Sequence, residues 1–347
     1  MNPLRLLLLP WQALAVFSAA KSFAHPVIGS SWLNARGLHV WRTRLAMRLA
    51  EGRRRRLAHL VSPADRAAFA RDGFVEKRGF LPPEAFAALR AEVAALPAAS
   101  REMREGDAVT RRIPLTPAVL SRNPGLAALL DHPDWRGLTR FVASSGAEPM
   151  VAVQTILSHA VPGEADPQTS LHMDTFHPTM KAWFFLHDVA ESDGPLTYVP
   201  GSHRLTRRRL AWQRAESRRA AARRSGGAFR LRPAMLPRLG LPPARRFAVP
   251  ANTLVVADTF GLHARGDSAT ASIRVEIYAT GRPSPFRHFA GAPLERLVPA
   301  IRRRKVLLQW WLQDILAPLG LLRPVWRPAP RGAFDRMEAR DRMEARQ

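Results

Sequence analysis

The sequence predicts a mainly β protein with flanking helices, a double-sheet jelly roll or barrel. Three observations carry this expectation. Short strand-like runs fill the chain from Met150 onward, turn residues separate them, and helical patterns lie before Met150, in an insertion and near the C-terminus. The 30 prolines and 21 glycines are spread along the chain, which favours many turns and short elements over a long helical bundle. At 347 residues the chain can bury a full core, so one main domain with terminal extensions is expected rather than two equal domains. The expected divisions are an apolar and basic N-terminal extension (1–61), the main domain (62–290, with a basic insertion at 204–247), and a C-terminal amphipathic helix with a charged tail (291–347).

In the N-terminal extension, Leu6 to Ala20 is apolar except for Gln12, with Arg5 before it and Lys21 after it. Its fifteen residues fall short of the roughly twenty that span a bilayer. Three readings stand: a segment lying on a membrane, a helix against the main domain, or a secretory signal with Ser18-Ala19-Ala20 as its cleavage region. The membrane reading draws on the basic run that follows, Arg42, Arg44, Arg48 and Arg53 to Arg56, which suits anionic headgroups.

Ser62-Pro63-Ala64-Asp65 reads as a helix start, with a serine cap, proline at the first helical position and an acid in the first turn; that helix should end near Asp72-Gly73. A short strand is expected over 74–80 and an amphipathic helix over 82–96, with Phe86, Leu89, Val93 and Leu96 on one side. Further strands are expected at 151–158, 181–186, 196–199, 253–257 and 273–279. The insertion crowds Arg204, Arg207 to Arg209, Arg214, Arg218, Arg219, Arg223 and Arg224 into one stretch, read as a helical lid beside the site entrance or as a solvated basic face. Residues 301–326 pair a basic opening with Leu308, Trp311, Leu312, Ile315, Leu316 and Leu319 at helical spacing, for a membrane interface or for docking on the domain. The tail repeats six residues, 335–340 as 341–346, too short for a repeat fold.

Lysine and arginine total 53 against 28 acids, a formal charge of +25 that attracts phosphate-bearing surfaces without choosing among nucleic acid, anionic lipid and charged substrates. The absence of cysteine excludes disulfides, thiolate metal sites and cysteine nucleophiles.

Chemistry enters with His172 and Asp174 in Leu-His-Met-Asp, answered downstream by His263. Side chains at i and i+2 of a strand share a face, so an imidazole and a carboxylate can grip one ion, and a distant histidine can complete a triangular face. Two histidines and a carboxylate leave the other octahedral positions open, as non-haem Fe(II) oxygenases require for a co-substrate and O2. A 2-oxoglutarate co-substrate would leave its far carboxylate to the protein. Arg274, eleven residues after His263, fits one strand, a turn and the next strand, and its guanidinium suits a carboxylate. His159, His177, His187 and His203 are nearby alternatives, for which a structural role is the simpler reading.

The ordered set resembles a known family. Phe69-Ala-Arg-Asp-Gly-Phe-Val75, Leu171-His-Met-Asp174, Asp193-Gly-Pro-Leu-Thr-Tyr-Val-Pro-Gly-Ser-His203 and His263 followed by Arg274 are similar to the phytanoyl-CoA dioxygenase family of iron(II)- and 2-oxoglutarate-dependent oxygenases, over about residues 62–290. The resemblance implies a double-stranded β-helix, with His172, Asp174 and His263 as metal ligands, Arg274 on the co-substrate carboxylate and Trp183 lining its pocket. It implies that Gly201-Ser202-His203 shapes a turn rather than touching iron. Met173 and Gly266-Asp267-Ser268 depart from common family residues and bear on substrate fit. Halogenases in the family lack the carboxylate, so Asp174 favours hydroxylation.

The expected activity is hydroxylation of an unactivated carbon in an acyl or lipid-like substrate, with release of succinate and CO2. The expected location is cytoplasmic, with peripheral contact at the inner face of an anionic membrane. The alternative is a basic, catalytically silent barrel that binds nucleic acid or an anionic membrane surface; the arginine run at 204–224 would serve it, but the interleaved aromatics that stack bases are missing.

Overall fold

An antiparallel sheet of eight strands forms the frame of the protein in the computed structural model, which describes residues 12–96, 100–288, 299–319 and 324–329. In chain order its strands are β1 (Phe74–Lys77), β2 (Arg101–Glu105), β3 (Ala108–Pro114), β4 (Met150–Ser158), β5 (Met180–Phe185), β8 (Thr253–Asp258), β10 (Ser272–Gly281) and β11 (Arg327–Pro328). They lie side by side as β1-β8-β5-β10-β4-β3-β2-β11. A smaller sheet of β6 (Leu196–Tyr198), β7 (Arg245–Arg246) and β9 (His263–Arg265) runs β7-β6-β9. Two sheets with buried apolar side chains between them make the expected jelly-roll architecture.

The period-two alternation of β5, β8 and β10 decides what each face of the large sheet does. Ala182, Phe184, Leu254, Val256, Val275, Ile277 and Ala279 point to the outer face. There they meet Leu89, Val93, Leu126, Trp135, Leu138 and Phe141. Those residues come from helices α4 (Pro83–Ala94), α6 (Pro124–Asp131) and α7 (Pro133–Ala143). Trp183, Phe185, Val255, Ala257 and Tyr278 point the other way and meet Leu196, Tyr198, Phe247 and Val249 beneath the small sheet.

Helix α3 (Pro63–Asp72) begins and ends as its sequence directs: the Ser62 hydroxyl accepts from Asp65 N at 3.1 Å, and Gly73 closes it at φ 87°. The expected strand over 74–80 is only four residues long, ending at Lys77. Strands β2 and β3 were not expected. Their charged residues disguise the alternation, since Glu102 and Arg111 are both buried and pair with each other at 3.2 Å.

The N-terminal region is less an extension than a wall of the domain. Helices α1 (Ser31–Ala35) and α2 (Leu38–Leu57) bury Asn34, Ala46, Ala50 and Leu57, and Phe23 and Ile28 are buried ahead of them. The reading of Arg42 and Arg53 to Arg56 as a run facing headgroups fails at three positions. Arg42 donates to the carbonyls of Val16, Ser18 and Ala20 and stacks on Phe176; Arg53 holds Ser144; Arg54 pairs with Asp258 at 2.8 Å. Buried carbonyls and one carboxylate from distant segments satisfy these guanidiniums better than a surface would. Arg44, Arg48, Arg55 and Arg56 remain exposed. Of the apolar run Leu6 to Ala20, residues 1–11 lie outside the described residues.

The basic insertion also differs from a lid. Helix α8 (Arg207–Arg223) buries Trp212, Ala220 and Ala221 against Phe23, Phe229 and Leu231, and Arg209 donates to the carbonyls of Ser202 and Phe260. The rest of its arginines form a solvated face. Helices α5 (Pro117–Leu120) and α9 (Pro299–Leu316) complete the set; the latter stops short of the expected 326. The repeated tail lies outside the described residues. No described helix is long and apolar enough to cross a membrane.

Candidate metal centre

His172 and His263 are drawn together by backbone pairing. Each main-chain N–H donates to the other's carbonyl at 2.9 Å, and Asp174 N donates to Thr259 O at 3.1 Å, so the segment 172–174 runs antiparallel to the chain leading into β9. His172 and Asp174, two residues apart, therefore present their side chains beside that of His263, with the ring centroids of the histidines 4.5 Å apart. His172 Nε2 lies 3.7 Å and His263 Nε2 3.6 Å from Asp174 Oδ1. One ligand atom from each of the three lies within 4.8 Å of the others, and all three residues are buried.

The donor set fits a divalent metal. His172 Nδ1 faces Ser170 O at 2.8 Å and His263 Nδ1 faces Gly261 O at 3.0 Å. A carbonyl only accepts, so each Nδ1 carries the proton and each Nε2 keeps its lone pair for the centre. Burial, with His263 and Lys181 nearby, pushes His172 down to about 3, so it is neutral at physiological pH as a ligand must be. Burial alone would push the Asp174 carboxyl up, but Lys181, His263 and Arg282 outweigh it and hold the group well below the usual carboxylate range. Asp174 Oδ2 is buried with no well-directed hydrogen bond but with the Lys181 ammonium 2.9 Å away. An oxygen so placed already faces a cation, as a metal-binding carboxylate does.

The triad opens into a cavity of about 1070 Å³. Arg274 and Trp183 line it from the inner face of the large sheet, as their positions in alternating strands predict. Arg274 Nε donates to Glu276 at 3.1 Å and Nη1 to Gly194 O, which leaves three of its five N–H groups for a ligand. Trp183 stands opposite Tyr278 across β5 and β10, the rings edge-on at 6.2 Å.

The structure also adds residues that the sequence reading passed over. Lys181 Nζ sits among the triad, 3.1 Å from Asp174 Oδ1 and 3.3 Å from His263 Nε2, and Lys21 Nζ donates to Asp174 O. Burial, with Arg282 and Lys181 close by, holds Lys21 below the ordinary lysine value despite Asp174. A signal for Lys181 was present: it is two residues before Trp183 in one strand and so shares its face. Nothing local marks Lys21, which arrives from the other end of the fold.

None of the four nearby alternative histidines joins the triad. His159 bonds Asp107 and Ser268 on the surface, His177 is buried on Pro178 O, His187 is exposed, and His203 is buried against Phe69. Gly201-Ser202-His203 shapes a turn: Gly201 has φ 74° and Ser202 Oγ accepts from Leu262 N at 2.8 Å, one residue before His263. No residue of 204–247 lines the cavity.

Residues 69–230, which carry His172 and Asp174, match the family model described as phytanoyl-CoA dioxygenase (PhyH). Over that segment the chain is similar to the phytanoyl-CoA dioxygenase family. The match and the triad together support a 2-oxoglutarate-dependent oxygenase with iron and 2-oxoglutarate as cofactors. Among solved structures the chain is similar to SnoN, a non-haem α-ketoglutarate-dependent epimerase from nogalamycin biosynthesis (21% identity, 65% of this chain and 86% of that one, TM-score 0.40). It is also similar to HygX from Streptomyces hygroscopicus, solved with nickel and 2-oxoglutarate (18% identity, 64% and 87%, TM-score 0.40). A third is AviO1 from Streptomyces viridochromogenes Tue57 (21% identity, 65% and 96%, TM-score 0.38). No curated protein matches the chain.

Proposed function

We propose that this protein hydroxylates an unactivated carbon of an acyl or lipid-like substrate, consuming 2-oxoglutarate and O2 and releasing succinate and CO2. The observation that carries the reading is the convergence of three buried donors, two of them imidazoles whose protonated Nδ1 is tied to a carbonyl. His172, Asp174 and His263 would hold the iron, which with the co-substrate supplies the oxidising chemistry. Arg274 would take the far carboxylate of 2-oxoglutarate through its remaining N–H groups, and Trp183 would wall the pocket and exclude water. The carbonyls of Ser170 and Gly261 fix the ring orientations, so the ligands need little rearrangement to bind. Retention of Asp174 supports hydroxylation over halogenation.

Peripheral contact with the inner face of an anionic membrane, from the cytoplasmic side, belongs to the same reading. Trp311, Leu312 and Ile315 on α9, with Leu14, Phe17 and Trp41, are exposed apolar groups on a strongly basic protein, which supports it. Anaerobic titration with Fe(II) and 2-oxoglutarate, then succinate release in air with acyl and lipid extracts, tests the chemistry. Absence of metal-dependent 2-oxoglutarate binding would refute it. Co-sedimentation with anionic vesicles tests the surface, and equal recovery with and without them would end that part.

A further inference from the structure

Asp174 faces more positive charge than one carboxylate balances. Lys181 Nζ lies 2.9 Å from Oδ2 and Arg282 Nη2 lies 3.9 Å from it, while Lys21 Nζ donates to the Asp174 main-chain carbonyl at 2.5 Å. Among the described residues, Asp174 is the sole carboxylate in ion-pair contact with Lys181 or Arg282. Two other arginines in the cavity wall are matched: Arg265 pairs with Asp166 at 2.6 Å and Arg274 with Glu276 at 3.1 Å. When a divalent metal takes the Asp174 carboxylate, Lys181 and Arg282 lose their shared partner. Lys181, 14% exposed, would then be a cation left unpaired at a largely buried site, which is costly, so the arrangement favours a further anion there, with the more exposed Arg282 beside it.

We propose that Lys181 and Arg282 form an oxyanion subsite beside the metal, and that the substrate carries a carboxylate or phosphate there, close to the carbon that is oxidised. The subsite rests on the function proposed above and narrows it. In that reading Arg274 takes the far carboxylate of 2-oxoglutarate and the metal takes the near one, so the anion at Lys181 and Arg282 belongs to the substrate. An ammonium on a flexible stem and a planar guanidinium approach one oxyanion from two sides, and the buried position of Lys181 strengthens the pairing.

The test uses the full chain loaded with Co(II) and N-oxalylglycine, an unreactive analogue of the co-substrate. Co(II) loading is followed by visible absorption and analogue binding by calorimetry. Inorganic phosphate and acetate serve as separate probes, with line broadening of their 31P and 1H resonances by the paramagnetic ion as the readout. Broadening by either probe, with affinity falling about tenfold in Lys181→Met and in Arg282→Gln, supports the subsite, and the probe that binds names its group. Arg282 is half exposed, so its variant removes a contact without opening the core. No broadening in the wild type, or affinity unchanged from the wild type in either variant, overturns the subsite alone if Co(II) and the analogue still bind. Failure of Co(II) or the analogue to bind the wild type overturns the proposed function and the subsite with it.

Discussion

Acid should unfold this protein well before its carboxylates titrate, because three histidines away from the metal ligands are held neutral in the interior. His39, His177 and His203 are 4%, 3% and 5% exposed. Burial pushes His39 down to about 4 and His177 and His203 down to about 3, from an ordinary 6.5. The fold therefore keeps them unprotonated at pH values where the unfolded chain binds a proton on each. Their contribution is complete above pH 6.5, and it is lost progressively as pH falls toward the folded values. At pH 5 an unfolded histidine is favoured over a buried neutral one by about 2 kcal/mol, or roughly 6 kcal/mol for the three. That is comparable with the whole stability of a typical domain, about 5–15 kcal/mol. Urea unfolding followed by tryptophan fluorescence at pH 7, 6 and 5 measures the slope. His203→Leu should remove about a third of it, since His203 Nδ1 has no hydrogen-bond partner among the described residues and leaves none orphaned. Stability that changes by less than about 2 kcal/mol from pH 7 to pH 5, or a His203→Leu slope equal to that of the wild type, would refute the reasoning.

Three further outcomes are expected. Asp174→Ala should abolish 2-oxoglutarate-dependent succinate release while the circular dichroism spectrum stays native; chelation of the wild type should do the same, and added Fe(II) should reverse it. Arg274→Leu should weaken 2-oxoglutarate binding at least about tenfold by calorimetry, since a charge-assisted contact is lost. Arg54→Met should lower stability by about 3–5 kcal/mol in urea, because it leaves Asp258 buried and without its ion-pair partner; a loss under about 1 kcal/mol would show the pair to be dispensable.

Much of the architecture was legible because its signals are local. Serine before proline at residues 62–63 starts a helix whatever surrounds it, and the alternation at 181–186 and 273–279 declares which residues share a face. That same rule put Arg274 and Trp183 toward the interior, and the His-x-Asp spacing put two donors side by side. Strands β2 and β3 escaped notice because Glu102 and Arg111 hide each other's charge only once they are paired.

By itself the sequence determined the jelly-roll class, the ordered donor set and the family resemblance, all of which depend on residue type and short spacing. The tertiary structure alone decided where the charges go. It buried Arg42, Arg53 and Arg54 on acceptors from distant segments, turned the basic insertion into a partly buried helix, and gathered Lys21, Lys181 and Arg282 around Asp174. An arginine or lysine carries no local mark of its partner. Its long side chain serves water or a buried oxygen equally well until the chain's long-range pairing brings that oxygen within reach.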